Sequence, residues 1–357
     1  MRKRVVVCMS GGVDSTVAAL LLKEAGHDVA GLTFWFWSFP GAPDYEGLTK
    51  CCSLDEASGA AAELGIPHET IDASDAFHDL VVRDFVERYR AGETPNPCGR
   101  CNRLLRFERA LRYARANGFD AVATGHHVRI VEEESGRRSL CRGADPAKDQ
   151  SYFLYGLGQE DLASLLFPVG GQTKQQVFEV ARAHGLTSAD LPESQDLCFA
   201  LEGDTSFLFD ESDFSAGPIV DLEGRRLGTH EGLPHYTIGQ RRGLRIATER
   251  PLYVVDIDLA ENRLIVGGED DLVRSDLTAI DAHYISGAPP ADGDEVGAKI
   301  RYRSPSSPAE VRRATSSRFD LRFREPQRAI TPGQIAAIYH GDCLLGGGTI
   351  ARSRRSG

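Results

Sequence analysis

The sequence predicts an α/β protein: a parallel sheet with helices on both faces, followed by a small β-rich domain and a C-terminal β-barrel. Three observations carry this. Over the first two hundred residues, short apolar runs alternate with amphipathic segments, the rhythm of a parallel sheet covered on both faces. After about Thr205 glycines become frequent, and short β-like runs are separated by turn residues. At 357 residues the chain exceeds what one hydrophobic core usually serves. The expected divisions are residues 1–204 for the α/β domain, 205–270 for the β-rich domain and 271–357 for the barrel.

Taken in order, "RVVVCMS" (4–10) reads as a buried strand and "DSTVAALLLKEAG" (14–26) as a helix ended by Gly26. "DVAGLTFWFW" (28–37) follows as a strand, "LDEASGAAAELGI" (54–66) as a helix, and "HETIDA" (68–73) as a strand. Two helices, "DAFHDLVVRDFVERYRAG" (75–92) and "CNRLLRFERALRYARANG" (101–118), precede the strand "DAVATGHH" (120–127). Further on, "GPIVDLEG", "PLYVVDIDLAENRLIVGG", "EVGAKIRYR" and "IAAIYHGDCLLGGGTIA" are β-like, with Asn262 in a hairpin turn; the tail "ARSRRSG" reads as frayed.

The apolar run after the first charges lasts only five residues, too short for an export signal, and no stretch reaches the roughly 18 residues of a membrane span. No membrane association is expected. Eight cysteines without an export signal imply reduced thiols, a cytoplasmic location and no structural disulfides. Cys8, Cys141 and Cys343 lie in apolar runs and read as small core residues. Net charge is −11, yet Glu295 to Arg328 holds nine Lys/Arg against four Asp/Glu, a local basic footprint compatible with RNA.

Between the first strand and helix lies "SGGVDS", Ser10 to Ser15. It lacks the Gly-Lys-Ser/Thr of a Walker loop and the three spaced glycines of a dinucleotide fingerprint. Two glycines let the backbone turn its amides into one concavity at a helix N-terminus, a phosphate cradle, with Ser10 and Ser15 as hydroxyl donors. Asp14 is expected to help hold magnesium on the phosphates or to cap the helix.

"TPNPCGRCN" stiffens the approach to Cys98 and Cys101 with Pro95 and Pro97, and Cys101 is expected to open a helix. Thiolates are the competent nucleophiles, and nearby cations or a helix N-terminus lower a thiol's pKa. Arginines at every third place, from Arg100 to Arg115, lag by roughly 60° per step and wind around the helix. The alternative for Cys98 and Cys101 is a structural zinc clip completed by Cys51 and Cys52 or by Cys198. Tyr152 and Phe153 are candidates at a pocket entrance or buried aromatics.

"MSGGVDS", "TPNPCGRCN", "ATGHH", "GADPAKDQSYFLYGL", "FPVG", "DLCF", "HYTIGQRRGL", "RYR" and "PGQIAAIYHGDCLLGGGTI" occur in order over almost the whole chain. In this they resemble the bacterial tRNA-specific 2-thiouridylases, members of the N-type ATP pyrophosphatases with an adenine nucleotide alpha-hydrolase-like (PP-loop) fold. The resemblance implies a sulfurtransferase that adenylates the C2 oxygen of the wobble uridine in glutamate, glutamine and lysine tRNAs and replaces it by sulfur. ATP and Mg2+ would be required. A cysteine desulfurase or sulfur-relay protein would supply the sulfur.

Carried over by position, Cys8, Met9, Ser10, Gly11, Gly12, Val13, Asp14 and Ser15 would hold the ATP phosphates, with Phe34 at the adenine and Gly125 at the nucleotide. Asn96, Pro97 and Cys98 would contact the flipped-out base. Lys148, Asp149, Gln150, Arg301, Tyr302, His126 and Gln334 would serve the tRNA. Cys101 would be the nucleophile and Cys198 the persulfide carrier. Many family members carry aspartate where this chain has Cys98. Cys98, Cys101 and Cys198 would also be the three thiolates that leave one iron of a [4Fe-4S] cluster open, so persulfide relay and cluster-bound sulfide both stand as mechanisms. Alternatives of other classes are an ATP-dependent synthetase or amidotransferase acting on a small metabolite, and a non-enzymatic RNA-binding redox sensor.

Overall fold

The computed structural model describes residues 2–36, 54–192, 197–200 and 203–353. Cys51 and Cys52, and the tail beyond residue 353, lie outside the described residues.

The first sheet has five parallel strands. They are β1 (Arg4–Cys8), β2 (Asp28–Trp35), β3 (His68–Asp72), β4 (Ala121–Thr124) and, after a hairpin β5 (Val128–Glu132) and β6 (Arg138–Arg142), β7 (Leu165–Leu166); the order is β3-β2-β1-β4-β7. Helices α1 (Val13–Glu24), α2 (Leu54–Glu63), α3 (Ser74–Phe77), α4 (Arg83–Arg90), α5 (Pro97–Cys101), α6 (Phe107–Ala116), α7 (Gln159–Ala163) and α8 (Lys174–Ala183) surround it. Alternation along β1 explains the two layers, because successive side chains of a strand point to opposite faces. Val5, Val7 and Met9 join the cluster built with α1, α2 and α8, whereas Val6 and Cys8 join the one built with α4 and α6. Two helical stretches pass through π turns, His78–Val82 before α4 and Asn102–Arg106 before α6.

The second sheet contains β8 (Gly217–Val220), β9 (Arg226–His230), β10 (Tyr253–Asp258) and β11 (Arg263–Gly267) in the order β10-β11-β8-β9. Asn262 occupies the expected β10–β11 turn with φ 46°, a left-handed conformation that asparagine tolerates. Six antiparallel strands follow: β12 (Val273–Tyr284), β13 (Glu295–Lys299), β14 (Ser307–Thr315), β15 (Arg318–Arg328), β16 (Ile335–His340) and β17 (Cys343–Ile350). They run β12-β15-β14-β13-β16-β17 and close through β12–β17 pairing.

One connection was not foreseen. The β5–β6 hairpin leaves the first domain and extends the barrel sheet, with β6 antiparallel to β17. Cys141 and Cys343 face each other in that register and form a disulfide across a sequence separation of 202. This corrects the expectation that structural disulfides are absent and that these two cysteines are merely small core residues. The pairing rests on a strand contact between distant segments, which composition does not reveal.

Candidate active site

The loop Ser10–Gly12 leaves the carboxyl end of β1, where ligands of open parallel sheets bind. Gly11 adopts φ 81°, a left-handed conformation that suits glycine. Gly12 is the N-cap of α1 and has no side-chain cap. The serines stitch the turn internally: Ser15 Oγ accepts from Ser10 N at 3.2 Å and donates to Gly12 O at 3.0 Å, with Ser10 Oγ 3.3 Å away. The first amides of α1 are therefore the anion donors this geometry offers. Gly125 follows β4, and a Cβ there would lie 2.6 Å from Asp14 C and Ser15 N, so its smallness lets the strand end meet the helix start.

Asp14 does not cap α1. Its carboxylate accepts from Lys174 Nζ at 2.8 and 2.7 Å and faces His127 Nε2 at 3.0 Å. Burial pushes this carboxyl up, but hydrogen bonds from His127 and Lys174 and the lysine charge outweigh it, leaving the carboxyl below its ordinary value. Met9 and Val13 are buried core residues of the α1 face. Phe34 is buried and stacks on Phe36 with ring centres 6.0 Å apart; Arg106 lies over Phe36 at 5.4 Å. Burial pushes the Cys8 thiol up to about 11, partly offset by Arg106, so Cys8 remains a neutral thiol near pH 7. His126 is lowered to about 3 by burial and the Arg106 charge; its Nδ1 is 2.7 Å from Thr124 Oγ1, and it is the neutral imidazole at pH 7.

The cysteine segment starts differently from its expected form. Asn96 is the N-cap of α5, accepting from Gly99 N at 3.0 Å, with Pro97 opening the helix. The exposed Cys98 therefore occupies the first turn, and Cys101 lies a turn further in, 7% exposed. Cys101 belongs to the same apolar cluster against which the half-buried Cys198 packs. Among the described residues, no group of three or more His, Cys, Asp or Glu side chains is placed to hold a metal ion. Cys98, Cys101 and Cys198 are thus not gathered as a cluster's ligands, nor is a zinc site formed from described residues.

The arginines diverge as their spacing requires. Arg100 donates to Leu80 O and pairs with Asp84, Arg103 donates to Asp281 O, and Arg106 turns toward Phe36, Cys8 and His126.

Several residues expected at the tRNA support the site from within. Gln334 Nε2 donates to Thr94 O at 2.7 Å, tying the barrel to the approach to Asn96. Gln150 Oε1 accepts from His127 N at 2.8 Å. Asp149 is buried and accepts from Ser151 Oγ at 2.9 Å and Ser151 N at 3.1 Å. Arg301 donates to Arg328 O and Ala329 O; Tyr302 lies 4.5 Å from Phe153, ring centre to ring centre; Lys148 is partly exposed in the connecting loop. Tyr152 is a core residue, its hydroxyl donating to Ile335 O at 2.9 Å. The basic footprint is partly neutralised: Arg312, Arg318, Arg322, Arg324 and Arg328 pair with Glu310, Asp320, Asp276, Glu295 and Glu269.

Lys174 and His127 were not singled out for this site from the sequence. Lys174 and Asp14 are 160 positions apart, and no local spacing joins them.

Comparison with known proteins covers the whole chain. Family models described as tRNA methyl transferase HUP domain, tRNA methyl transferase PRC-barrel domain and Aminomethyltransferase beta-barrel domain match residues 3–202, 205–268 and 274–350. A Geobacter metallireducens protein named tRNA-specific 2-thiouridylase MnmA is 46% identical, over 100% of this chain and 99% of its own length. Proteins of the same name from Chloroflexus aurantiacus and Roseiflexus castenholzii are 48% and 46% identical, over 98% of this chain and 98% and 99% of theirs.

Proposed function

The chain belongs to the tRNA-specific 2-thiouridylase family, and from that premise we propose that it activates the C2 oxygen of a tRNA wobble uridine with ATP and replaces it by sulfur. It is a sulfurtransferase of tRNA that uses ATP. The observation that carries the reading is a phosphate-cradling loop at the end of β1 combined with Cys101 and Cys198 on one apolar cluster of the same domain. Two of the family-model descriptions speak of methyl transfer, but the full-length relatives are named for 2-thiouridylation, and a phosphate-binding loop and thiols in one domain suit sulfur transfer.

In this reading the amides opening α1 bind the phosphates of ATP, and Asp14 would hold the magnesium that accompanies them. A ring carbonyl oxygen is a poor leaving group, so the uridine O2 attacks the α-phosphorus and pyrophosphate departs. Asn96, Pro97 and Cys98 receive the extruded base, and Gln334 holds their approach in place. Cys198 carries a persulfide from a cysteine desulfurase or relay protein. Its terminal sulfur adds at C2 and AMP leaves with the original oxygen. Cys101 then attacks Cys198 Sγ, forming a Cys101–Cys198 disulfide and freeing the thiocarbonyl; a dithiol reductant supplies the two electrons that reset the pair.

Pyrophosphate exchange into ATP tests this assignment. Exchange that requires added tRNA supports it. Exchange without tRNA favours a small-metabolite synthetase, and no exchange favours a binding protein.

A further inference from the structure

Lys174 is remote from the loop in sequence and meets it in space. It opens α8 behind the Thr173 cap, and its backbone N–H donates to Asp145 Oδ2 at 3.0 Å. Lys174 is 8% exposed; its Nζ donates to both carboxylate oxygens of Asp14 and lies 5.0 Å from the Phe178 ring centre. His127, 2% exposed, also meets that carboxylate, its Nε2 3.0 Å from Asp14 Oδ1, and its Nδ1 has no hydrogen-bond partner among the described residues.

Stability alone does not account for a lysine in this place. A buried ion pair contributes little beyond apolar residues of the same volume, because desolvation offsets the attraction. Its position suggests a use. Asp14 lies in the first turn of α1, beside amides that suit an anion. A carboxylate alone at that mouth would repel a triphosphate. With His127 already holding it, the carboxylate can take a magnesium ion as its new partner and leave the ammonium to the phosphate oxygens.

We propose that Lys174 is a phosphate-binding residue of the ATP site, contacting the β- or γ-phosphate once Asp14 exchanges the ammonium for the nucleotide's magnesium. The proposal rests on the ATP-dependent reading above and adds a cation from α8 to the loop's amides.

Equilibrium binding of ATP, pyrophosphate and AMP, each with magnesium, tests it in wild type and in Lys174→Gln. The substitution is expected to weaken ATP and pyrophosphate about ten- to a hundredfold and AMP, which lacks the outer phosphates, by less than about threefold. Unchanged ATP affinity, or equal losses for ATP and AMP, would overturn the proposal. Because a half-buried Asp14 without its ammonium partner can disturb the loop, Lys174→Gln is also made in an Asp14→Asn background, where no unpaired charge is left. There the added loss must again fall on ATP and pyrophosphate and spare AMP; no added loss overturns the proposal. A wild-type protein that binds none of the three removes the underlying reading, and this proposal with it.

Discussion

At position 101, packing and chemistry make opposite demands. A thiolate is favoured by water or cations, yet Cys101 is nearly buried among apolar side chains, so its substrate must be brought to it. Cys101→Ser and Cys198→Ser are each expected to cut 2-thiouridine formation at least about a thousandfold while tRNA-dependent pyrophosphate exchange stays within about threefold, since adenylation precedes sulfur transfer. Loss of both activities together would separate these thiols from the sulfur step. His126 offers a second reading at this scale. Its pKa in the fold lies near 3, below the ordinary histidine value, so the unfolded chain binds the extra proton and stability falls as pH drops from about 7 toward 4. His126→Gln should lessen the loss between pH 7 and pH 5 by about 1 to 2 kcal/mol in denaturant titrations. The loop residues Ser10 to Ser15 were legible because they are contiguous. Lys174 and His127 were not, because their meaning comes from partners in distant segments.

Among the elements, the α5 start decides where the sulfurs stand. The Asn-Pro step is a capping signal, an N-cap side chain followed by a proline whose missing N–H is not needed in the first turn. The sequence suggests a helix start at Cys101, after an approach stiffened by Pro95 and Pro97. The structure starts it at Pro97 and then inserts a π turn at Asn102–Arg106, a feature frequent at functional sites. Arg106, the last residue of that turn, lies over Phe36, and periodicity of 3.6 gives no notice of the turn. Asn96→Ala removes the acceptor for Gly99 N and should destabilise the fold by about 1 kcal/mol. Its effect on thiolation should be larger than that loss implies, about tenfold, because the cap sets the position of Cys98 and Cys101. Parallel unfolding and rate measurements check the difference; a rate unchanged beside a stability loss would make the cap structural only.

Across the whole molecule, the α/β sheet, the small sheet and the barrel were legible from texture: apolar runs with helices between them, then glycine-rich β segments. The bridge between domains was not. The β5–β6 hairpin joins the barrel by pairing with β17, and the Cys141–Cys343 disulfide closes that contact. Gln334 makes a second link, from the barrel to Thr94. Closing so long a loop stabilises by up to about 5 kcal/mol in the chain-entropy account. Cys343→Ser should therefore lower the unfolding midpoint of oxidised protein and leave that of reduced protein nearly unchanged; equal effects with and without reductant would deny the bond a role. The central claim concerns the tRNA itself. The most direct measurement is mass spectrometry of nucleosides from unmodified tRNA incubated with the protein, ATP, magnesium and a persulfide donor. The account predicts 2-thiouridine at the wobble position, dependent on ATP and absent with Cys101→Ser. A methylated nucleoside, or sulfur incorporation that does not need ATP, would contradict it.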